Sequence, residues 1–340
     1  MAITSSIPLS IIMPVYNKAE YVEKCLQSIL EQDYTHYELI IVNDGSTDGS
    51  ADIIRRLADQ RIKLISTPNQ GVSSARNGGM AEAHGDFLLF VDADDYLSPH
   101  YLSHIMQMSL AQKADLYVWG ITKDYADGRQ RPIVPQSRGL LDAPTFLHEM
   151  ALEQYQRHEG IMGYIPNKLL KRDIISRHHI QFNPTIKLQE DYDFFLSYYA
   201  HVHSALFFHE SGYHYVEHPP VAGAAARQVD YLSLIDIHRR SLLLTSQSTS
   251  PDSDRQLVLK AIGKLTLAMF LEMQPVTISL VRRSLSSIHQ RPECIGGLQV
   301  IRPKQERLRQ FLCSRSTLCT YTYLKCRSIY YSIRKKGFPT

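Results

Sequence analysis

Several things are scarce in this chain. Cysteine is one: Cys25, Cys294, Cys313, Cys319 and Cys326 are odd in number, and none sits in a C-x-x-C pair. That usage argues against a disulfide framework and a thiolate zinc site, and fits a reducing cytoplasm. Long apolar runs are missing, since no stretch approaches the roughly 18 residues that would propose a membrane span. The opening MAITSSIPLSIIMPVYN carries no basic lead and no long apolar core, so it does not read as a signal peptide. Charge of one sign is also in short supply. A net charge of +3 is too mild to point to nucleic acid. Repeats and low-complexity tracts are absent. What remains is a globular composition in 340 residues, enough for one large domain with an appendage or for two modest ones.

Against that background one stretch stands apart. Phe87–Val91 is a continuous apolar run that reads as a buried strand, and it stops at Asp92-Ala93-Asp94-Asp95. Clustered carboxylates repel one another and are costly to desolvate, so packing alone does not place them there. A hard divalent cation relieves both problems. Mg2+ and Mn2+ prefer oxygen ligands and often take one or two carboxylates together with substrate phosphates. Asp92 and Asp94 therefore suggest a metal–nucleotide site.

The first 120 residues alternate strand and helix signals. Strands are expected at Leu9–Val15, Glu38–Val42, Arg61–Ser66 and Phe87–Val91, with helices over Glu20–Gln32, through Ile53–Leu57, and over Gly71–Ala83. Such alternation implies βαβ units around a parallel sheet, in which ligands sit at the carboxyl ends of the strands. Every polar cluster lies at that edge. Further on, a strand is expected at Asp115–Gly120, a hairpin turn at Tyr125–Arg129, a helix over Pro144–Glu153 and a last strand around Tyr213–Val216. Beyond about Gln228 the pattern is helical, over Leu232–Leu244, Asp252–Met273 and Val276–Ile288.

Four groups carry candidate chemistry. Pro14-Val15-Tyr16-Asn17 closes the first strand, where Tyr16 can stack on a nucleobase or simply end the strand. Asp44 closes the second, where its carboxylate can accept from a ring N–H such as that of uracil; the structural alternative is a helix cap by Asp44, Ser46 or Thr47. Gly71–Asn77 opens a small-residue helix whose N-terminus suits phosphate. There Arg76 can contact the nucleotide or fix nearby aspartates, and Ser73 and Ser74 can cap. Glu190 and Asp191 open an apolar helix, a position the dipole favours for acids. Their functional reading is a general base whose pKa is raised by neighbouring negative charge.

Taken in order, SIIMPVYN, VNDGSTDGS, GVSSARNGG, FVDADDYLSP, PNKLLKRD and QEDYDFF resemble the family 2 glycosyltransferases of GT-A fold, over roughly residues 9–200. The resemblance implies an α/β fold, Rossmann-like, with a mostly parallel sheet flanked by helices. It implies an inverting enzyme that uses a nucleotide-diphosphate sugar, a UDP-sugar first, and Mn2+ or Mg2+. Pro14, Tyr16, Asn17 and Asp44 match the base-binding stretch, Arg76 the arginine beside the nucleotide, Asp92 the ribose or base contact and Asp94 the metal ligand. Asp191 matches the catalytic base, with Glu190 beside it, and Asn167-Lys168 a motif near the acceptor side. Relatives often place an Arg or His after the last strand near the diphosphate; here His218 or His214 would take that place, and His218 is assigned to the metal. The domain expectation is a GT-A domain over residues 1–226, with a nucleotide half to about 120 and an acceptor half after it, then a helical region over 227–340. The acceptor is expected to be a glycan or a lipid-linked sugar in surface-polysaccharide synthesis.

From Arg302 to Lys336 ten basic residues face a single acid, Glu306, and are interleaved with aliphatic and aromatic side chains. That mixture suits either an interfacial segment on anionic lipid or a packed helix with a solvated basic face. The first reading makes the protein a cytoplasmic enzyme held peripherally at the inner face of the membrane. Two other functions fit the acidic clusters less well. A metal-dependent nucleotidyl- or phosphoryl-transferase would be expected to carry a Lys/Arg-rich phosphate loop, for which Lys18 is the lone candidate. A non-catalytic sugar-nucleotide binding protein would need no base at Glu190-Asp191.

Overall fold

The structure is a computed structural model that describes residues 8–157, 160–219, 229–273, 276–301 and 303–335. The chain divides into two compact units, residues 1–227 and 228–340.

The first unit begins with alternating strands and helices: β1 (Leu9–Val15), α1 (Val22–Leu30), β2 (Tyr37–Asp44), α2 (Ser50–Leu57), β3 (Ile62–Thr67), α3 (Val72–Ala81) and β4 (Phe87–Phe90). The apolar spacing dictates the packing. Val22, Cys25, Leu26 and Ile29 recur at helical intervals and are all buried, so α1 lays one stripe on the sheet. The strands β1, β2 and β4 are buried along nearly their whole length, as strands covered on both faces must be. Pro14 lies within β1, opposite Val42, one residue before the strand ends.

The chain continues through β5 (Tyr96–Leu97), α4 (Tyr101–Ala111), β6 (Leu116–Asp124), β7 (Gln130–Ile133), β8 (Gly139–Asp142), α5 (Ala143–Ala151), a π-helical turn (Leu152–Gln156), a short 3-10 helix (Ile161–Gly163), β9 (Lys168–Lys171), α6 (Arg172–Arg177), α7 (Glu190–Tyr199) and β10 (Ser204–Val216). The strands form one sheet in the order β3-β2-β1-β4-β9-β6-β10-β5, with β7 on β6 and β8 on β10. From β3 to β4 it is parallel; β9 enters antiparallel to both β4 and β6, and β10 returns to parallel beside β6. Chain order reverses between β1 and β4, the point where open α/β sheets leave a crevice at the carboxyl edge.

Three expectations are corrected. The strand expected at Asp115–Gly120 runs on to Asp124, because β7 and β10 both pair with its far end. The helix expected over Pro144–Glu153 ends its α-helical part at Ala151 and finishes as the π turn. The last strand begins at Ser204, well before Tyr213.

The second unit is helical: α8 (Tyr231–Thr245), α9 (Pro251–Leu271), α10 (Ile278–His289), α11 (Pro292–Val300), α12 (Glu306–Cys313) and α13 (Thr317–Lys335). α9 and α11 touch backbone to backbone. A Cβ on Gly263 would lie 2.2 Å from the Gly297 carbonyl oxygen, and one on Gly297 would lie 2.5 Å from that of Leu259. Only hydrogen fits at either position.

Candidate active site

The carboxyl edge of the sheet in the first unit holds a cleft of about 850 Å³. At one end stand the ends of β1 and β2 and the start of α3. Pro14 and Tyr16 line it, Tyr16 being 48% exposed. Asp44 is buried, and its two carboxylate oxygens accept the Gln70 and Gly71 N–H groups, each at 2.8 Å. It therefore does not cap α2; Asp48 does that local work by accepting from Ser50 N at 3.0 Å. Asp44 instead fixes the turn into α3 while still facing the cleft. No side chain caps α3, because the Ser74 hydroxyl donates back to Gln70 O. The expected capping by Ser73 or Ser74 is absent there, and Gly71 and Val72 present the helix start to the cleft.

Asn17 has a different use from the one expected. Its side-chain oxygen accepts from Thr47 N at 2.8 Å, and its own N–H donates to Ser46 Oγ at 3.0 Å. It staples two loops and is not among the cleft-lining residues.

The middle of the cleft is acidic. Asp92, Asp94 and Asp95 all line it, yet they differ in partners. Asp95 is buried and accepts from the Tyr213 hydroxyl at 2.6 Å and from Val216 N at 2.8 Å, while Tyr213 Oη accepts from Asp92 N at 3.0 Å. Burial and the neighbouring Asp92 push the Asp95 carboxyl well above its ordinary range. This residue clasps the end of β10 beneath the cleft. Asp94 points outward, pairs with the Lys18 ammonium, and lies 3.4 Å from His218 Nε2. Among the described residues that buried nitrogen has no hydrogen-bond partner, and the ring packs against Tyr21 at 4.4 Å.

Arg76 sits under this floor, 4% exposed, against the Phe182 ring. Nη1 donates to Asp191 Oδ1 at 2.6 Å and Nη2 to Asp92 Oδ1 at 3.0 Å. Of its two expected roles, the geometry realises the fixing of aspartates. Burial opposes its charge, and Asp191 and Asp92 outweigh that, so its pKa is raised.

Glu190 and Asp191 occupy the first turn of α7, whose start has no side-chain cap. Glu190 lines the cleft. Asp191, 24% exposed, is bound by Arg76 and adjoins Glu190 without being among the cleft-lining residues. Burial pushes its carboxyl up, Arg76 pulls it down, and Asp92 and Glu190 push it up again, to about 7.

The two histidines weighed for the diphosphate end separate cleanly. His218 lines the cleft. His214 does not: Nδ1 faces Asp124 Oδ1 at 3.1 Å, Nε2 faces Ser98 Oγ at 2.9 Å, and the ring stacks on Tyr96 at 4.2 Å. Lys123, Tyr164, Tyr215 and Glu217 are among the cleft residues that escaped sequence reading. The strand register pairs Tyr215 with Lys123, and Tyr164, following the 3-10 helix, joins them through its ring.

Among the described residues no three carboxylate, histidine or cysteine side chains gather as a metal-ligand set. Two suffice for a cation that also takes phosphate oxygens. Ligands about 2.1 Å from one octahedral ion and at right angles lie about 3 Å apart, which the Asp94–His218 pair approaches. An imidazole nitrogen and a carboxylate at this separation suit a divalent ion that takes the place of the Lys18 ammonium on Asp94 Oδ2.

Comparison with known proteins agrees with this edge. The Glycosyl transferase family 2 model matches residues 10–208. The chain is 33% identical over 196 residues to EpsH of Bacillus subtilis (strain 168), a match spanning 57% of this chain and 55% of EpsH. It is 32% identical over 238 residues to the uncharacterized glycosyltransferase EpsJ of the same organism, spanning 68% of this chain and 67% of EpsJ. Matches thus span about half to two thirds of these curated relatives. The crystal structure of S. aureus TarS 1-349 in complex with UDP-GlcNAc shares the fold, with a TM-score of 0.68, covering 98% of this chain and 93% of that one at 18% identity. With the strand order, the acidic strand end and a family match over more than half its length, the chain belongs to glycosyl transferase family 2 and has the GT-A fold.

Proposed function

We propose that the protein is an inverting glycosyltransferase that moves a sugar from a UDP-sugar to a hydroxyl of a glycan or lipid-linked acceptor in surface-polysaccharide synthesis. One observation carries the reading. A single buried guanidinium joins Asp92, on the strand edge that faces the nucleotide end of the cleft, to Asp191, whose carboxyl is tuned to about 7. A pure binding site has no use for a carboxylate poised to take a proton near neutral pH. The UDP-GlcNAc complex of TarS supports a UDP-sugar as donor.

In this mechanism Pro14, Tyr16 and Asp44 seat the base and Asp92 the ribose. Asp191 accepts the proton of the acceptor hydroxyl through Oδ2, since Oδ1 is committed to Arg76. The acceptor oxygen attacks the anomeric carbon as the bond to the diphosphate breaks on the opposite face, so configuration inverts. Glu190 raises the basicity of Asp191 by its charge. Asp94 and His218 would hold Mn2+ or Mg2+, which offsets charge on the leaving diphosphate when bound.

Titration calorimetry with UDP and a transfer assay over UDP-sugars and sugar acceptors, each with and without Mn2+, test the reading. Asp94→Asn should remove most transfer and the Mn2+-dependent part of UDP binding. Unchanged Mn2+ dependence would take Asp94 out of the site. Pyrophosphate release would favour the nucleotidyl-transferase alternative.

The location rests on the second unit. Among the described residues no helix is long and apolar enough to cross a membrane. Arg307, Phe311, Leu318 and Tyr323 line an open cleft of about 670 Å³, with Leu318 67% exposed. Apolar surface rimmed by arginine supports peripheral attachment to anionic lipid from about residue 302. Arg302, Lys336 and the side chains of Ile329, Tyr330, Tyr331, Ile333, Arg334 and Lys335, which also belong to this reading, lie outside the described residues. Sedimentation with anionic vesicles at low and high salt checks it. Equal binding by a chain truncated at Ile301 would end it.

A further inference from the structure

The end of the cleft away from Pro14 and Asp44 has its own chemistry. Lys123 on β6 and Tyr215 on β10 are register partners on adjacent parallel strands. Tyr164, just after the 3-10 helix, meets them there. The two tyrosine rings stand 5.6 Å apart at 81°, and Lys123 Nζ lies 5.6 Å and 5.9 Å from their centres. Two aromatic rings at a right angle form a corner, and Glu190 and Glu217 line the cleft with them.

The corner is firmly held. Tyr164 O accepts from Lys168 Nζ at 2.6 Å, and the same ammonium donates to Ile161 O at 2.9 Å and to Asn167 Oδ1 at 2.6 Å. Asn167 Nδ2 donates to Trp119 O on β6 at 2.8 Å. Burial pulls the Lys168 pKa well down, but three acceptors at these distances match the three N–H groups of an ammonium. Asn167-Lys168 thus fastens Tyr164 in place, fully buried and outside the cleft lining.

The charge around the corner is informative. Among the described residues no carboxylate comes within ion-pair distance of Lys123. Burial disfavours its charge, and the Tyr164 hydroxyl and Glu217 more than restore it. Glu217 offsets that cation and Glu190 adds negative charge, while the other cleft-lining ammonium, Lys18, is paired with Asp94 and Asp92 with Arg76. At this corner a further carboxylate is poorly served, whereas a ring with an apolar C–H face and a hydroxyl rim uses every group.

We propose that Tyr164, Tyr215, Lys123 and Glu217 form the acceptor subsite and that it takes an uncharged sugar ring, packed in the tyrosine corner, with Lys123 donating to one hydroxyl and Glu217 accepting from another. The proposal rests on the glycosyltransferase reading and adds the acceptor's class to it.

Saturation-transfer NMR on the full chain, with and without UDP and Mn2+, tests it. The probes are the methyl glycosides of glucose, galactose, mannose and N-acetylglucosamine, against methyl glucuronide and galacturonide. At least one neutral glycoside should bind, and the uronides several-fold more weakly. Tyr215→Ala should cost the neutral glycoside about tenfold in affinity, and Lys123→Met should weaken it too, while UDP affinity stays within about twofold and reports that each variant is folded. Uronide binding as tight as neutral binding, no binding of any neutral glycoside, or a Tyr215→Ala loss confined to UDP-GlcNAc would each overturn the proposal. Failure of the wild type to bind UDP would instead overturn the nucleotide-sugar reading, with the choice between glycoside and uronide still scored.

Discussion

The two halves of the sheet place their cleft residues by different means. From β3 to β4 the strands run parallel, and Pro14, Asp44 and Asp92 each lie at or within two residues of a strand end. The backbone ladder sets the spacing of the strand ends that carry them. From β9 to β10 the sheet is mixed, and side chains do the fastening: Asp95 takes the Tyr213 hydroxyl and Val216 N, while Lys168 binds two carbonyls and Asn167. A ladder is redundant, because one residue's loss leaves its neighbours paired. A buried ammonium or carboxylate is not. The acceptor half should therefore be the more easily disturbed by single substitutions away from the cleft, with Arg76 the exception that touches both halves.

Substitutions test that contrast, and the largest effect falls where the halves meet. Asp191→Asn should lower kcat by about 10²–10⁴-fold with UDP affinity nearly unchanged, in steady-state kinetics paired with titration calorimetry. Near-normal turnover would pass the role to Glu190. Next is Arg76→Met, which leaves Asp92 and Asp191 facing each other without their cation. A loss of about 3–5 kcal/mol in stability is expected from urea unfolding. A loss under about 1 kcal/mol, typical of an exposed pair, would show that the bridge is not integral.

Lys168→Met sharpens the contrast directly. It strands two carbonyls and an amide oxygen, at a cost of about 1–3 kcal/mol. The KM for acceptor should rise while UDP affinity holds, because the parallel half does not depend on this side chain. An equal loss on both substrates would erase the distinction between the halves.

The gentlest probe is pH. Burial lifts the Asp191 carboxyl to about 7, so wild-type turnover should climb as pH rises through about 7 and the base loses its proton. A limb near 4 to 5, the ordinary carboxylate range, would remove Asp191 as the base. Arg76 lowers this pKa, so any activity left in Arg76→Met should rise at higher pH than in the wild type.

The same contrast explains what was legible from residues alone. On the parallel half each strand–turn–helix is local, and FLLFVDADD or VNDGSTDGS shows both the strand and what ends it. On the mixed half the determinants are distant. Lys168–Lys171 is a four-residue strand whose identity comes from β4 and β6 on either side. The helix α4, Tyr101–Ala111, has no counterpart among the elements expected from the sequence. His214 and His218 look interchangeable in sequence, and only the approach of Ser98 and Asp124 withdraws one of them from the cleft. Asp44 reads naturally as a cap, and the partners it actually takes lie 26 and 27 residues further along the chain.

Arg76 also bears on how such a chain can diversify. One guanidinium holds an acid of the donor end and the carboxylate proposed as base, so none of these three positions can drift alone without mispairing the other two. New donor or acceptor preferences must then arise elsewhere. Tyr16 and Val72, exposed at one end of the cleft, and Lys123, Tyr164 and Tyr215 at the other, are free of that constraint. A library randomised at those positions with Arg76, Asp92 and Asp191 left alone should yield folded variants with altered substrate choice, and one that includes the three should yield mostly insoluble protein.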